Sequence, residues 1–197
     1  MVAAFLVGLA IVAAVYAAGA PAHRLGMALR ATARWSLLWF CLATYGGALT
    51  ALFGRRFEGL ARRGRDFGLA FAAAHQVHIA LVVWLLYSAP YPIPRLYVIV
   101  FSIGVFWLYV LAVFSLSSTL SAWLGPRRWK LVRTIGVEYL AFAFAFEFAN
   151  RILDGDRANA LHYFPLFAAA VGGPLLRIAA RLKRRSAAGA TARLLPD

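Results

Sequence analysis

Acidic residues are scarce in this 197-residue chain, seven Asp+Glu against 21 Lys+Arg, and charged residues of both signs make up only 14% of it. So little charge, beside 63% hydrophobic residues and a mean hydropathy of +0.74, leaves too few polar side chains to clothe a water-soluble domain. The single cysteine, Cys41, excludes an intrachain disulfide and leaves the redox compartment unreadable. No glycine-rich phosphate loop follows a strand, and the polar stretches are too short for a flavin or nicotinamide domain. Hydrolase chemistry lacks its Ser/His/Asp or Cys/His constellation, and neither an internal repeat nor a low-complexity region is present.

What is present is hydrocarbon in long runs. Six windows are nearly free of charge over lengths that cross a bilayer as helices, at about 1–19, 35–53, 67–87, 96–116, 129–148 and 160–180. In lipid each backbone polar group must be satisfied within its own segment, so the expected fold is all-α. It is a polytopic, six-transmembrane-helix bundle forming a single domain over 1–197, with a basic tail at 181–197. The short connections make consecutive helices antiparallel neighbours. The apolar first window followed by "YAAGAPA" also fits a cleaved signal peptide, which would leave five helices. The lack of a positive residue ahead of the window favours a retained span.

The net charge of +14 would point to nucleic acid in a soluble protein. Here the arginines gather between apolar windows, where they set topology and meet anionic headgroups, so the expected partner is the lipid bilayer and not nucleic acid. One side of the bundle collects fifteen Lys+Arg, among them Arg55, Arg56, Arg62, Arg63, Arg65, Arg127, Arg128, Arg181 and Lys183, and the other only six. That imbalance places both termini in the cytoplasm. "APYPIPR", with Pro90, Pro92 and Pro94, reads as a stiff outer turn, and the hydroxyls of "FSLSSTLS" read as helix packing.

Two imidazoles interrupt the third window. His75 and His78 lie at i and i+3, on one face of a helix, roughly 12 and 16 Å into a core about 30 Å thick. Polar rings at that depth face the bundle interior and need partners. Two histidines alone make a poor zinc site, whereas iron in haem is held by axial imidazoles in an apolar pocket. Level with them, near 13 Å deep in the fifth window, stands Glu138, a coincidence of depth that invites pairing with His75 or His78. Arg133 lies about a turn and a half shallower, where it snorkels to the interface, meets a haem propionate or offsets Glu138. His23 reads as solvated and His162 as interfacial, while Glu147, Arg151, Asp154, Asp156 and Arg157 read as the outer surface.

"RRGRDFGLAFAAAHQVHIALVVW" resembles the third helix of the ferric reductase-like transmembrane family, whose small bacterial members carry an arginine-rich inner loop and two histidines three apart. "RATARWSLLWF" is similar to the start of the family's second helix, and "WLGPRRWKLVRTIGVEYLAFAF" to its fourth loop and fifth helix, with Trp129, Gly136 and Tyr139 in place. The resemblance runs from about Arg30 to Arg185. It implies a six-helix bundle of the bacterial cytoplasmic (inner) membrane, holding haem b between the third and fifth helices and moving electrons across the membrane. Where the family reads Trp-x-x-x-His-x-x-Gly, this chain has Arg133, a guanidinium with no lone pair for iron. The resemblance therefore implies a haem-b electron-transfer component with His75 and His78 as metal ligands, Arg133 and Glu138 at the cofactor, and no identifiable second axial ligand. Such an oxidoreductase component would take electrons from a separate donor protein or a quinone. The alternative is a non-redox scaffold or interaction protein on the same fold, with a buried His/Glu network. A small transporter with Glu138 as proton relay is disfavoured by the lack of paired broken helices or repeat symmetry.

Overall fold

Apolar runs rich in Ala, Leu and Phe with few internal breakers should be helical throughout, and they are. The structure, a computed structural model, describes residues 1–20, 23–88, 93–153 and 157–192, which contain helices and no strand. The helices are α1 (Val2–Ala18), α2 (Arg24–Phe53), α3 (Glu58–Arg62), α4 (Gly64–Ser88), α5 (Arg95–Leu116), α6 (Ser118–Leu124), α7 (Pro126–Leu153) and α8 (Arg157–Ala192), with one 3-10 turn at Arg55–Phe57. Pro90, Pro92, Asp154, Asp156, Arg193 and part of "YAAGAPA" lie outside the described residues.

Three helices outrun the apolar windows that announce them. α2 starts at Arg24, well before Trp35, because "RLGMALRATAR" is polar but made largely of strong helix formers. α7 likewise takes in "PRRWK", and α8 runs on beyond Ala180 through "RLKRRSAAGATA". Hydropathy marks where lipid covers a helix, and glycine marks two of the ends. Gly54 ends α2 with φ +87°, and Gly125 ends α6 with φ +77°, followed at once by Pro126 at the first position of α7. Ser117, in the hydroxyl-rich run, caps α6 by accepting from the Leu120 N–H at 3.2 Å.

Among the described residues, four helices are long and apolar enough to cross a membrane: α2, α4, α5 and the Ala160–Ser186 stretch of α8. α1 is apolar but only 17 residues long. α7 has the length, 28 residues, yet carries Lys130, Arg133, Glu138, Glu147 and Arg151.

Consecutive long helices pack on one another, and α8 returns to α2, so that α2, α4, α5, α7 and α8 close a ring with α1 outside, against α2 and α4. Small residues set the closeness of α1. Ala4 and Gly8 are its buried positions, and a Cβ added to Gly8 would come within 3.2 Å of Val77. Inside the ring, Leu37 and Phe40 of α2, Phe71 of α4, Leu108 of α5, Phe144 and Phe148 of α7 and Tyr163 of α8 form one core.

Candidate functional site

The partners of the two histidines come from α2. Thr32 and Ser36 lie one turn apart on one face of α2, and both are fully buried. Helices α2 and α4 run antiparallel, which brings Ser36 Oγ to 3.0 Å from His75 Nδ1 and Thr32 Oγ1 to 3.0 Å from His78 Nδ1. Each hydroxyl also bonds back along its own helix, Thr32 to the Ala28 carbonyl at 2.8 Å and Ser36 to the Ala33 carbonyl at 3.0 Å. A hydroxyl has one proton. With that proton on the backbone carbonyl, the oxygen accepts from the imidazole, which assigns both rings as the Nδ1–H tautomer and leaves a lone pair on each Nε2.

The rings turn inward, as expected for polar groups in a span. His75 and His78 lie with centroids 5.1 Å apart and planes tilted by 33°. His75 also meets Phe71 at 5.3 Å and, across the ring of helices, Phe144 of α7 edge-on at 5.7 Å. Phe40 joins the cluster 5.3 Å from Phe71 and 5.5 Å from Phe144.

Glu138 does not join the histidines, and the expected His/Glu pairing is corrected. Its carboxylate accepts from Arg177 of α8, Nε to Oε1 at 2.8 Å and Nη2 to Oε2 at 2.9 Å. The physical reason is charge: a guanidinium inside the apolar stretch of α8 satisfies both carboxylate oxygens at once, which no imidazole does. The Glu138 side chain is 36% exposed and that of Arg177 18%. Among the described residues Arg177 Nη1 is buried without a partner, and Tyr45 of α2 completes this corner by donating its hydroxyl to the Ala169 carbonyl. Arg133 is exposed, and among the described residues nothing links it to Glu138 or to the histidines. Glu147 pairs with Arg151 one turn on, at 2.9 Å.

Trp129, Gly136 and Tyr139 serve the packing of α7 on α5. Trp129 stacks on Phe114 at 5.6 Å, and a Cβ on Gly136 would come within 2.9 Å of Trp107 and 3.0 Å of Leu111. Tyr139 donates to the Val100 carbonyl at 3.0 Å.

This donor set meets half the requirement for haem b. Two inward imidazoles with Nδ1 anchored and Nε2 bearing a lone pair are what iron ligation asks of histidine. What packs against His75 from α7 is Phe144, a ring with no donor atom for iron. Two surface grooves have linings that do not include the histidines, one with Phe5, Leu9, Tyr16, Gln76 and Trp84 among others, the second with Gly59, Leu60, Arg62, Arg63 and Phe67.

Ser36, Thr32 and Arg177 are the site residues that sequence reasoning passed over. Their signals were present: two hydroxyls four apart at the entry to the second apolar window, matched to two histidines three apart in the next, and a lone cation inside the last apolar window. No protein-family model, curated protein or solved structure matches this chain.

Proposed function

We propose that the protein is a haem-free scaffold or interaction protein of the bilayer, a six-helix bundle in which α1 and α7 complete the four long apolar spans. Both termini lie in the cytoplasm, and the membrane is the bacterial cytoplasmic one. The carrying observation is the Phe144 ring of α7, which packs edge-on 5.7 Å from His75 and has no donor atom to offer iron. Two sets of interior polar groups are paired within the protein, histidine with hydroxyl and glutamate with arginine, which suits an architectural role. Matched polar pairs between spans fix helix register in a solvent that gives no hydrophobic drive to helix association.

The test is a reduced-minus-oxidised absorbance spectrum of protein purified from cells supplied with haem. The expected result is a featureless difference spectrum; b-type bands at one haem per chain would overturn the proposal. A second reading, supported by the Nε2 lone pairs and by the family resemblance, is a haem-b electron-transfer component served by a separate donor protein or a quinone. It requires bands that disappear in His75→Ala or His78→Ala.

A further inference from the structure

The segment between α2 and α4 folds back along α2. A Cβ on Gly46 would lie 2.6 Å from Ala61 N and 2.8 Å from Leu60 C, so α3 is clamped backbone to backbone on α2. Gly64, opening α4, lies in turn beside Ala43, with 3.3 Å between its added Cβ and the Ala43 carbonyl oxygen. The protein thereby holds a basic corner rigidly at one depth.

That depth follows from helix rise. The midpoint of Gly64–Ser88 is Gln76. At about 1.5 Å per residue, Phe67 is roughly 14 Å and Arg63 roughly 20 Å from this midpoint, on either side of the ~15 Å half-thickness of a hydrocarbon core. A shallow groove of about 530 Å³ reaches this boundary, its lining made of the apolar Leu60 and Phe67 together with Gly59, Arg62 and Arg63. Arg62 and Arg63 are exposed, and among the described residues neither forms an ion pair. Glu58 is engaged with Arg55 at 3.8 Å, and Asp66, one turn into α4, pairs with neither.

We infer that this groove is a binding site for an anionic phospholipid of the arginine-side leaflet, its phosphate taken by Arg62 and Arg63 and the start of an acyl chain by Leu60 and Phe67. Two unpaired guanidiniums offer several donors to phosphate oxygens at the level where phosphate resides, and the apolar floor gives a chain-bearing ligand what a free anion does not use. The site is distinct from the general positive charge of this face because α3 fixes its two arginines beside an apolar floor. Arg127 and Arg128, equally exposed at the start of α7, do not line this groove.

The experiment is native mass spectrometry of the full chain in detergent with equal phosphatidylglycerol and phosphatidylcholine of matched chains, and with glycerol 3-phosphate as competitor. Phosphatidylglycerol should be retained preferentially, and Arg62→Gln/Arg63→Gln should weaken its binding about thirtyfold, roughly fivefold per arginine. Arg127→Gln/Arg128→Gln should change it less than about threefold. Gly59 has nothing within 4 Å of an added Cβ. Gly59→Asp therefore sets a negative charge at the mouth without disturbing packing, and should weaken binding about fivefold even where the arginine variant fails to fold. Absence of phosphatidylglycerol preference, equal loss in both arginine double variants, or full displacement by glycerol 3-phosphate would each overturn the inference, the last by pointing to a soluble anion.

Discussion

Arg177 grips Glu138 through two parallel hydrogen bonds of 2.8 and 2.9 Å, tying α8 to α7 inside the bundle. Removing one partner strands the other. For a fully buried pair the loss is about 3–5 kcal/mol, and with a carboxylate 36% exposed a smaller figure of about 1–3 kcal/mol applies. Glu138→Gln and Arg177→Gln should each lower the unfolding midpoint in detergent. Glu138→Gln/Arg177→Gln should recover part of the loss, because no unpaired charge is left. A double-mutant cycle with no coupling would contradict the pairing.

The histidine tautomers are directly observable. With Thr32 and Ser36 protons on backbone carbonyls, nitrogen NMR of selectively labelled protein should show Nδ1–H and unprotonated Nε2 for both His75 and His78. Thr32→Val removes the hydroxyl that meets His78 and leaves that of His75, so the His78 ring signals should shift, with the Leu29 carbonyl left as its partner, while those of His75 stay. The cost in stability is about 0.6–1.7 kcal/mol, the range for hydrogen bonds between spans. Nε2–H rings in the unmodified protein would reverse the assignment.

Most of the fold was readable from sequence because a lipid-covered helix leaves an unambiguous apolar run, and each of the six expected windows lies within, or nearly within, a helix. Helix ends were less readable, since polar helix formers such as those of "RLGMALRATAR" extend a helix without extending its apolar run. The site was half readable. His75 and His78 stand out by chemistry and do turn inward, but their partners depend on how α4 slides along α2, which long-range packing decides. Glu138 stands out equally, yet its depth alone did not name its partner. Arg177 lies inside the last apolar window, and charge matching within the bundle was the stronger signal than its nearness to the basic tail.

Two adjacent glycines separate packing from propensity. Gly46 of α2 faces the backbone of α3, with an added Cβ only 2.6 Å from Ala61 N, whereas Gly47 has nothing within 4 Å. Gly46→Ala should cost about 1–3 kcal/mol by overpacking and release α3, seen as faster protease cleavage in the 55–65 segment. Gly47→Ala should leave cleavage unchanged and add up to ~1 kcal/mol of helix propensity. The same outcome at both positions would deny the clamped packing of α3.

Topology has an equally direct test, in which Cys41 is the only background to remove. In a Cys41→Ser chain, cysteines at Arg56, Arg128 and Arg184 report the arginine-rich side, and cysteines at Arg95 and Arg151 the other. An impermeant thiol reagent added to intact cells should label Arg95→Cys and Arg151→Cys, while Arg56→Cys, Arg128→Cys and Arg184→Cys react only after the membrane is opened. Because Arg128 and Arg151 lie toward opposite ends of α7, their difference also decides whether this charged helix crosses the bilayer. Labelling of both from outside would place α7 along the surface and reduce the proposed six spans. Opposite labelling of the two would mean that the Glu138–Arg177 pair is held within the membrane.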